Sequence, residues 1–209
     1  MRFLMLLLLA LTLAAAPAAP PGAVRVRLET SEGPIMVALD MKRAPVTSTN
    51  FLAYVDDGRL DGTTIYRASR RKTDSKLGFI QGGIDTDHRR ALRGIPLEPT
   101  SKTGLRHVDG TISMAHGANP DTATGNFTIM VGANPALDAR PGYPGYAAFG
   151  QVIGGMANVK KILAKPTGGG RGAMRGQMIL QPVKLIRAVR IDGKPRPTGR
   201  VKPWLILGG

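Results

Sequence analysis

From Val24 to Glu29 apolar and polar residues alternate, with Val24, Val26 and Leu28 set against Arg25, Arg27 and Glu29. That is the period of a half-buried strand. Ser31-Glu32-Gly33-Pro34 is turn chemistry, and Ile35 to Leu39 reads as the returning arm of a hairpin. At Ala44-Pro45 the period lengthens: Val46, Phe51, Leu52 and Val55 fall on one face of a helix, and Asp56-Asp57-Gly58 stops it with Gly58 as its C-terminal cap. Short β-type runs follow at Thr63–Arg67, Phe79–Gln81, Thr111–Met114, Phe127–Val131 and Ala147–Ile153. Gly154-Gly155 precedes a second helix, Met156 to Lys165, with Val159, Ile162 and Leu163 on one side. A Gly-rich loop from Gly168 to Gly176 leads to a last strand, about Val183 to Ile191. Many short strands separated by Gly and Pro, with two helices, predict a mainly β fold, a closed or nearly closed antiparallel barrel and not a parallel α/β sheet.

Upstream of these elements the pattern changes. After Met1-Arg2 the run from Phe3 to Ala16 is apolar except for Thr12. It is too short to span a bilayer comfortably and has the length of a secretory core. Ala16-Pro17-Ala18 places small residues where a signal peptidase reads, so residues 1–18 are expected to be a signal peptide for export to the periplasm; an uncleaved anchor is the alternative. Residues 19–192 then form one domain and 193–209 a basic tail, which suits a chain of 209 residues. The absence of cysteine excludes a disulfide framework, a thiolate zinc site and a Cys nucleophile. His88, His107 and His116 lack metal-ligand spacing, and neither metal nor cofactor is expected.

Charge narrows the field further. Lys and Arg number 29 against 14 Asp and Glu, a formal +15, but Lys160 to Gly209 holds twelve of those bases and a single acid, Asp192. The rest of the chain is nearly neutral. The basic end is either a solvated face or a weak contact for an anionic membrane surface. Nucleic acid is not an expected partner: aromatic residues are 5% of the chain and do not interleave the basic ones.

Several fragments carry a more specific signal. Ala44-Pro45-Val46-Thr47-Ser48-Thr49-Asn50-Phe51, Thr63-Thr64-Ile65-Tyr66-Arg67, Gly78-Phe79-Ile80-Gln81-Gly82-Gly83, Gly110-Thr111-Ile112-Ser113-Met114-Ala115, Gly125-Asn126-Phe127-Thr128-Ile129, Leu137-Asp138 and Phe149-Gly150-Gln151-Val152 occur in that order. Together they resemble the cyclophilin family of peptidyl-prolyl isomerases, from about Val24 to Ile191. The resemblance implies a closed eight-stranded antiparallel barrel with two capping helices. It also implies cis/trans interconversion of the bond before proline in polypeptide substrates, by a monomer without cofactor, or, as the alternative, a non-catalytic module that binds such peptides.

Such a reaction breaks no σ-bond. The uncatalysed barrier of about 18–20 kcal/mol comes from amide resonance, and a cation donating to the proline nitrogen favours the twisted state. By the resemblance Arg67 is that donor, Phe79 an apolar wall and Gln81 the residue that orients the Arg or the peptide. Ala115 and His116 stand where the family presents a backbone-binding edge. Asn126 replaces a longer amide, Thr128 an aromatic pocket floor, Ala136 a Trp and Tyr146 a His, while Leu137 keeps its apolar character. The basic stretch Ala68–Leu77 reads as an insertion that leaves the second apolar pocket residue open between Leu77 and Gly78.

Overall fold

The computed structural model describes residue 19 and residues 21–206. The expected signal peptide at 1–18 lies outside the described residues. The strands are β1 (Val24–Thr30), β2 (Gly33–Leu39), β3 (Thr63–Arg70), β4 (Gly78–Gly83), β5 (Thr111–Met114), β6 (Phe127–Val131), β7 (Ala147–Gly154), a two-residue β8 (Thr167–Gly168) and β9 (Met178–Arg190). All pairings are antiparallel, in the order β1-β2-β7-β5-β6-β4-β3-β9, and β1 pairs with β9 to close eight strands into a barrel; β8 is a short addition to β9. The two expected helices are α1 (Pro45–Asp56) and α3 (Met156–Leu163). Two one-turn helices join them, α2 (Thr100–Thr103) and α4 (Pro203–Ile206).

The core is the barrel interior with α1 packed on it. Phe51 meets Phe127 and Phe149 with ring centroids 5.5 and 5.3 Å apart, and Leu28, Ile35, Leu39, Ile65, Ile80 and Ile112 are fully buried. Helix α1 buries Phe51, Leu52 and Val55 as its periodicity requires, but Val46 is 40% exposed and Tyr54 takes its place inside. The Tyr54 hydroxyl is satisfied there by accepting the Leu92 amide at 2.7 Å. Val46 stays outside because its turn is occupied by a carboxylate. Glu98 accepts the amides of Val46 and Thr47 at 3.0 and 2.7 Å, capping the positive end of the helix. At the other end Gly58, at φ +69°, sits in the left-handed conformation that stops the helix.

Two differences from the sequence pattern bear on the site. Strand β3 continues through Ala68, which is buried in the core, to Arg70, so the insertion is a loop only from 71 to 77. Strand β9 begins at Met178, five residues before the expected start. Its partner register jumps from Ile65↔Val183 to Arg67↔Met178, a bulge that holds Pro182 and accommodates a residue unable to donate to a ladder.

The basic tail is not free. The Arg196 amide donates to Asp56 at 2.9 Å, and the Thr198 amide and hydroxyl donate to Asp57 at 2.6 and 2.5 Å. Trp204 of α4 is 6% exposed and lies against the guanidinium groups of Arg59 and Arg90, 4.9 and 5.1 Å from the ring centre. Arg59 itself is 2% exposed, paired to Asp57 at 2.7 Å and donating to the carbonyls of Arg90 and Val201.

Candidate functional site

Ser113, Thr128, Gln81 and Arg67 are register partners on the successive strands β5, β6, β4 and β3, so they form one row across the sheet. Direct cross-strand partners share a face. The row brings an arginine of β3 beside a glutamine of β4, although fourteen positions separate them in the chain. Phe79, two residues before Gln81 and thus on the same side, holds its ring 5.0 Å from the Arg67 guanidinium carbon. Leu77 does not compete for that place. It packs on Gly132 and lines a separate cavity of ≈710 Å³ with Arg70, Val131 and Leu163, and Gly78 is a strand residue with no side chain. The apolar wall beside Arg67 is therefore Phe79.

Arg67 is held by amide oxygens. Its Nη1 donates to Gln81 Oε1 at 2.8 Å, and its Nε and Nη2 donate to Gln177 Oε1 at 2.9 and 2.8 Å; a longer contact joins Nη2 to the Ala173 carbonyl at 3.4 Å. A guanidinium carries five N–H groups. One hydrogen on Nη1 is left for a ligand. Gln81 is oriented in turn by donating to the Tyr66 hydroxyl at 3.0 Å, and burial pushes that phenol well above its usual range, so it stays protonated. Burial also lowers the Arg67 pKa from its usual value, an effect opposed by Tyr66 and Tyr146. A guanidinium is basic enough to remain charged at any working pH despite that lowering.

A second grouping lies just past the end of β5 and just before the start of β7, two strands that pair with each other. The His116 ring stacks on Tyr146, centroids 4.3 Å apart and planes 22° from parallel, and its ring nitrogens face the carbonyls of Gly117 and Gly145 at 2.7 and 2.9 Å. The Tyr146 amide donates to the Leu137 carbonyl at 3.0 Å, and the Ala115 amide donates to the Asn126 carbonyl at 2.9 Å. Ala115, His116, Leu137 and Tyr146 are thus one wall, next to the row containing Thr128. Asn126 departs from the role its position suggests: its Oδ1 accepts the Asp85 amide at 2.7 Å and its Nδ2 donates to the Asp85 carbonyl at 2.9 Å. The shortened amide pins the turn at Asp85, a non-glycine residue at φ +50°, and does not project as a free donor. Ala136 is exposed.

Sequence reading missed three participants. Gln177 sits at the end of the Gly-rich loop, where no periodicity marks it. His107 and Asp138 meet behind the row: His107 Nδ1 lies 2.6 Å from Asp138 Oδ1, and its Nε2 lies 2.8 Å from the Ser113 hydroxyl. Thr128 is 9% exposed and its hydroxyl reaches the Ser113 carbonyl at 3.4 Å, so the floor at this position is small and polar, as the replacement of the aromatic implies, and is backed by Ser113, His107 and Asp138. Among the described residues no cluster of three or more His, Asp or Glu is gathered that would hold a metal ion.

Residues 25–190 match the family described as cyclophilin type peptidyl-prolyl cis-trans isomerase/CLD. The chain belongs to that family. It is 35% identical to a peptidyl-prolyl cis-trans isomerase of Acinetobacter baylyi over 77% of this chain and 82% of that protein. It is also 35% identical to peptidyl-prolyl cis-trans isomerase A of Dickeya dadantii, over 78% of this chain and 84% of the relative. Among solved structures, a Cryptosporidium parvum cyclophilin type isomerase superposes with a TM-score of 0.65 at 21% identity, covering 82% of this chain and 99% of that one. The same parasite protein has also been solved in the presence of the dipeptide Ala-Pro. The cyclophilin barrel explains why the row and the His116 wall lie side by side: the row runs across β5, β6, β4 and β3, and His116 and Tyr146 flank β5 and its other neighbour, β7.

Proposed function

We propose that this protein catalyses cis/trans rotation about X-Pro bonds, with Arg67 as the donor to the proline nitrogen. The observation that carries the proposal is a permanently charged fork held by two neutral amides, against the Phe79 ring, with one N–H left over. Rotation destroys the resonance that keeps the proline nitrogen planar, and its lone pair becomes basic as the bond twists. A donor placed there binds the twisted state better than either planar isomer, which is what lowers a barrier. Phe79 and Leu137 offer apolar contact to the ring, Thr128 floors the pocket, Gln81 aims the Arg, and Ala115, His116 and Tyr146 present the edge along which the peptide backbone lies. Asn126 acts through the Asp85 turn.

Wild type and Arg67→Ala are compared in a protease-coupled prolyl-peptide assay. The variant is expected to lose about 10²-fold in kcat/KM, the scale of removing one oriented transition-state donor. Equal, measurable rates would remove Arg67 from the chemistry. Background rates for both would favour a peptide-holding module, a reading that the small polar floor at Thr128 also supports.

The proposed substrates are proline-containing segments of exported proteins, met in the periplasm by a monomer. The support is the leader pattern of residues 1–18, and N-terminal sequencing of the secreted form is expected to start at Ala19. Lys194, Arg196 and Arg200 are exposed near the apolar Val201, Leu205 and Ile206, which suits a weak, salt-sensitive contact with an anionic membrane surface. Loss of vesicle binding on truncation after Asp192 tests it.

A further inference from the structure

The Gly-rich loop between β8 and β9 has no place in that scheme, yet it ends beside the proposed donor. We propose that Gln177, presented by this loop, is a positioning residue for Arg67; the proposal rests on the isomerase reading. The guanidinium's three bonds to side chains run to two amide oxygens, Gln81 on β4 and Gln177 immediately before β9. Gln81 alone holds one corner of the fork and leaves it free to pivot. Gln177 takes the opposite edge with a paired contact, through Nε and Nη2, and removes the pivot. The uncommitted Nη1 hydrogen then points in one fixed direction.

The amide of Gln177 has only one workable orientation. Its Nε2 donates to the Ala173 carbonyl at 3.1 Å, which turns Oε1 toward the arginine. The backbone is fixed as well: the Gln177 amide donates to Met174 at 3.0 Å, its carbonyl accepts the Ala68 amide at 2.9 Å, and the Gly176 amide closes the loop onto Gly169 at 2.6 Å. This fold of the loop depends on glycine. Gly170 lies at φ +75°, and a β-carbon there would stand 2.3 Å from the Met174 carbonyl oxygen. Both acceptors are neutral, so the clamp fixes direction without cancelling charge.

Gln177→Met keeps the length and removes the acceptor. Its kcat/KM is expected to fall about tenfold, the scale of losing one shared acceptor that holds a charged group, through kcat with KM unchanged. In an Arg67→Ala background the same change is expected to cost nothing further. Arginine-selective NMR gives a readout independent of turnover. The Arg67 Nε–H resonance is expected to be protected from exchange in wild type, lost in Gln177→Met, and weakened in Gly170→Ala, which does not touch the arginine. Should Gln177→Met unfold, Gln177→Asn, one methylene too short, is expected to reproduce the pattern. An unchanged rate, equal losses in both backgrounds, or an unaltered Nε–H resonance overturns the role of Gln177. If wild type has no isomerase activity, that reading falls on its own and the resonance alone decides the clamp.

Discussion

Arg59 and Arg67 lie eight positions apart in the chain and are held in opposite ways. Arg59 is fully buried at one end of the barrel, where it meets the Asp57 carboxylate, two backbone carbonyls and the face of Trp204. Arg67 is half-buried at the row and meets only uncharged acceptors, Gln81 and Gln177, with the Ala173 carbonyl more distant. The first arrangement neutralises the cation and uses it as a fastener for the tail. The second orients the cation while preserving its charge and one donor. Acceptor chemistry therefore separates a structural arginine from one suited to catalysis, even where both stack on an aromatic ring.

The sharpest way to break that contrast is to delete each cation. Arg59→Ala leaves Asp57 as an uncompensated buried carboxylate and is expected to cost about 3–5 kcal/mol of stability, read by denaturant unfolding. Its kcat/KM per folded molecule should stay at the wild-type level, the reverse of Arg67→Ala. If Arg59→Ala reduces turnover of folded protein as severely as Arg67→Ala does, the division of roles is wrong. A smaller effect comes from making the site resemble the barrel end. Gln81→Glu gives Arg67 a carboxylate, as Asp57 gives Arg59, and is expected to lower kcat/KM about tenfold without lowering the melting temperature. Undiminished activity in that variant would show that neutrality of the acceptor is irrelevant.

The mildest test concerns the polar support behind Thr128. Burial drives the His107 pKa below its ordinary 6.5, with Asp138 opposing in part. In the unfolded chain the ring regains its ordinary value, so as pH falls below about 6.5 the unfolded state takes up a proton that the native state does not. Stability is then full above that pH and declines below it. The melting temperature is expected to drop between pH 7 and pH 5 in wild type and to drop less in His107→Gln. That variant starts lower, by about 1–2 kcal/mol for the hydrogen bonds it cannot remake. Parallel pH curves would place the titrating group elsewhere.

Much of the cyclophilin barrel was readable because its strands are short, alternate cleanly and are fenced by Gly and Pro; β5 and β6 begin and end where their patterns do. Arg67, Phe79 and Gln81 were readable as a motif. Features that depend on register were not. Pro182 disguises the first part of β9 as loop, and only the bulge opposite Ile65 and Arg67 reveals that Gln177 borders the site. His107, Ser113 and Asp138 come from three separate segments, so their spacing in the chain says nothing of their 2.6 and 2.8 Å contacts. Asn126 was legible as a shortened amide but not as a clasp, because its partner is backbone.

The pairing of β1 with β9 has a consequence for synthesis. The first strand to leave the ribosome finds its second neighbour only when the last one emerges, so the barrel has no way to close on an unfinished chain. Until then β1 and β3 both offer bare edges, the state in which a nascent sheet is most open to wrong pairing. Gln177 arrives with that same final strand. The fork of Arg67 is aimed by the event that seals the fold, and a truncated translation product carries the arginine without its aim.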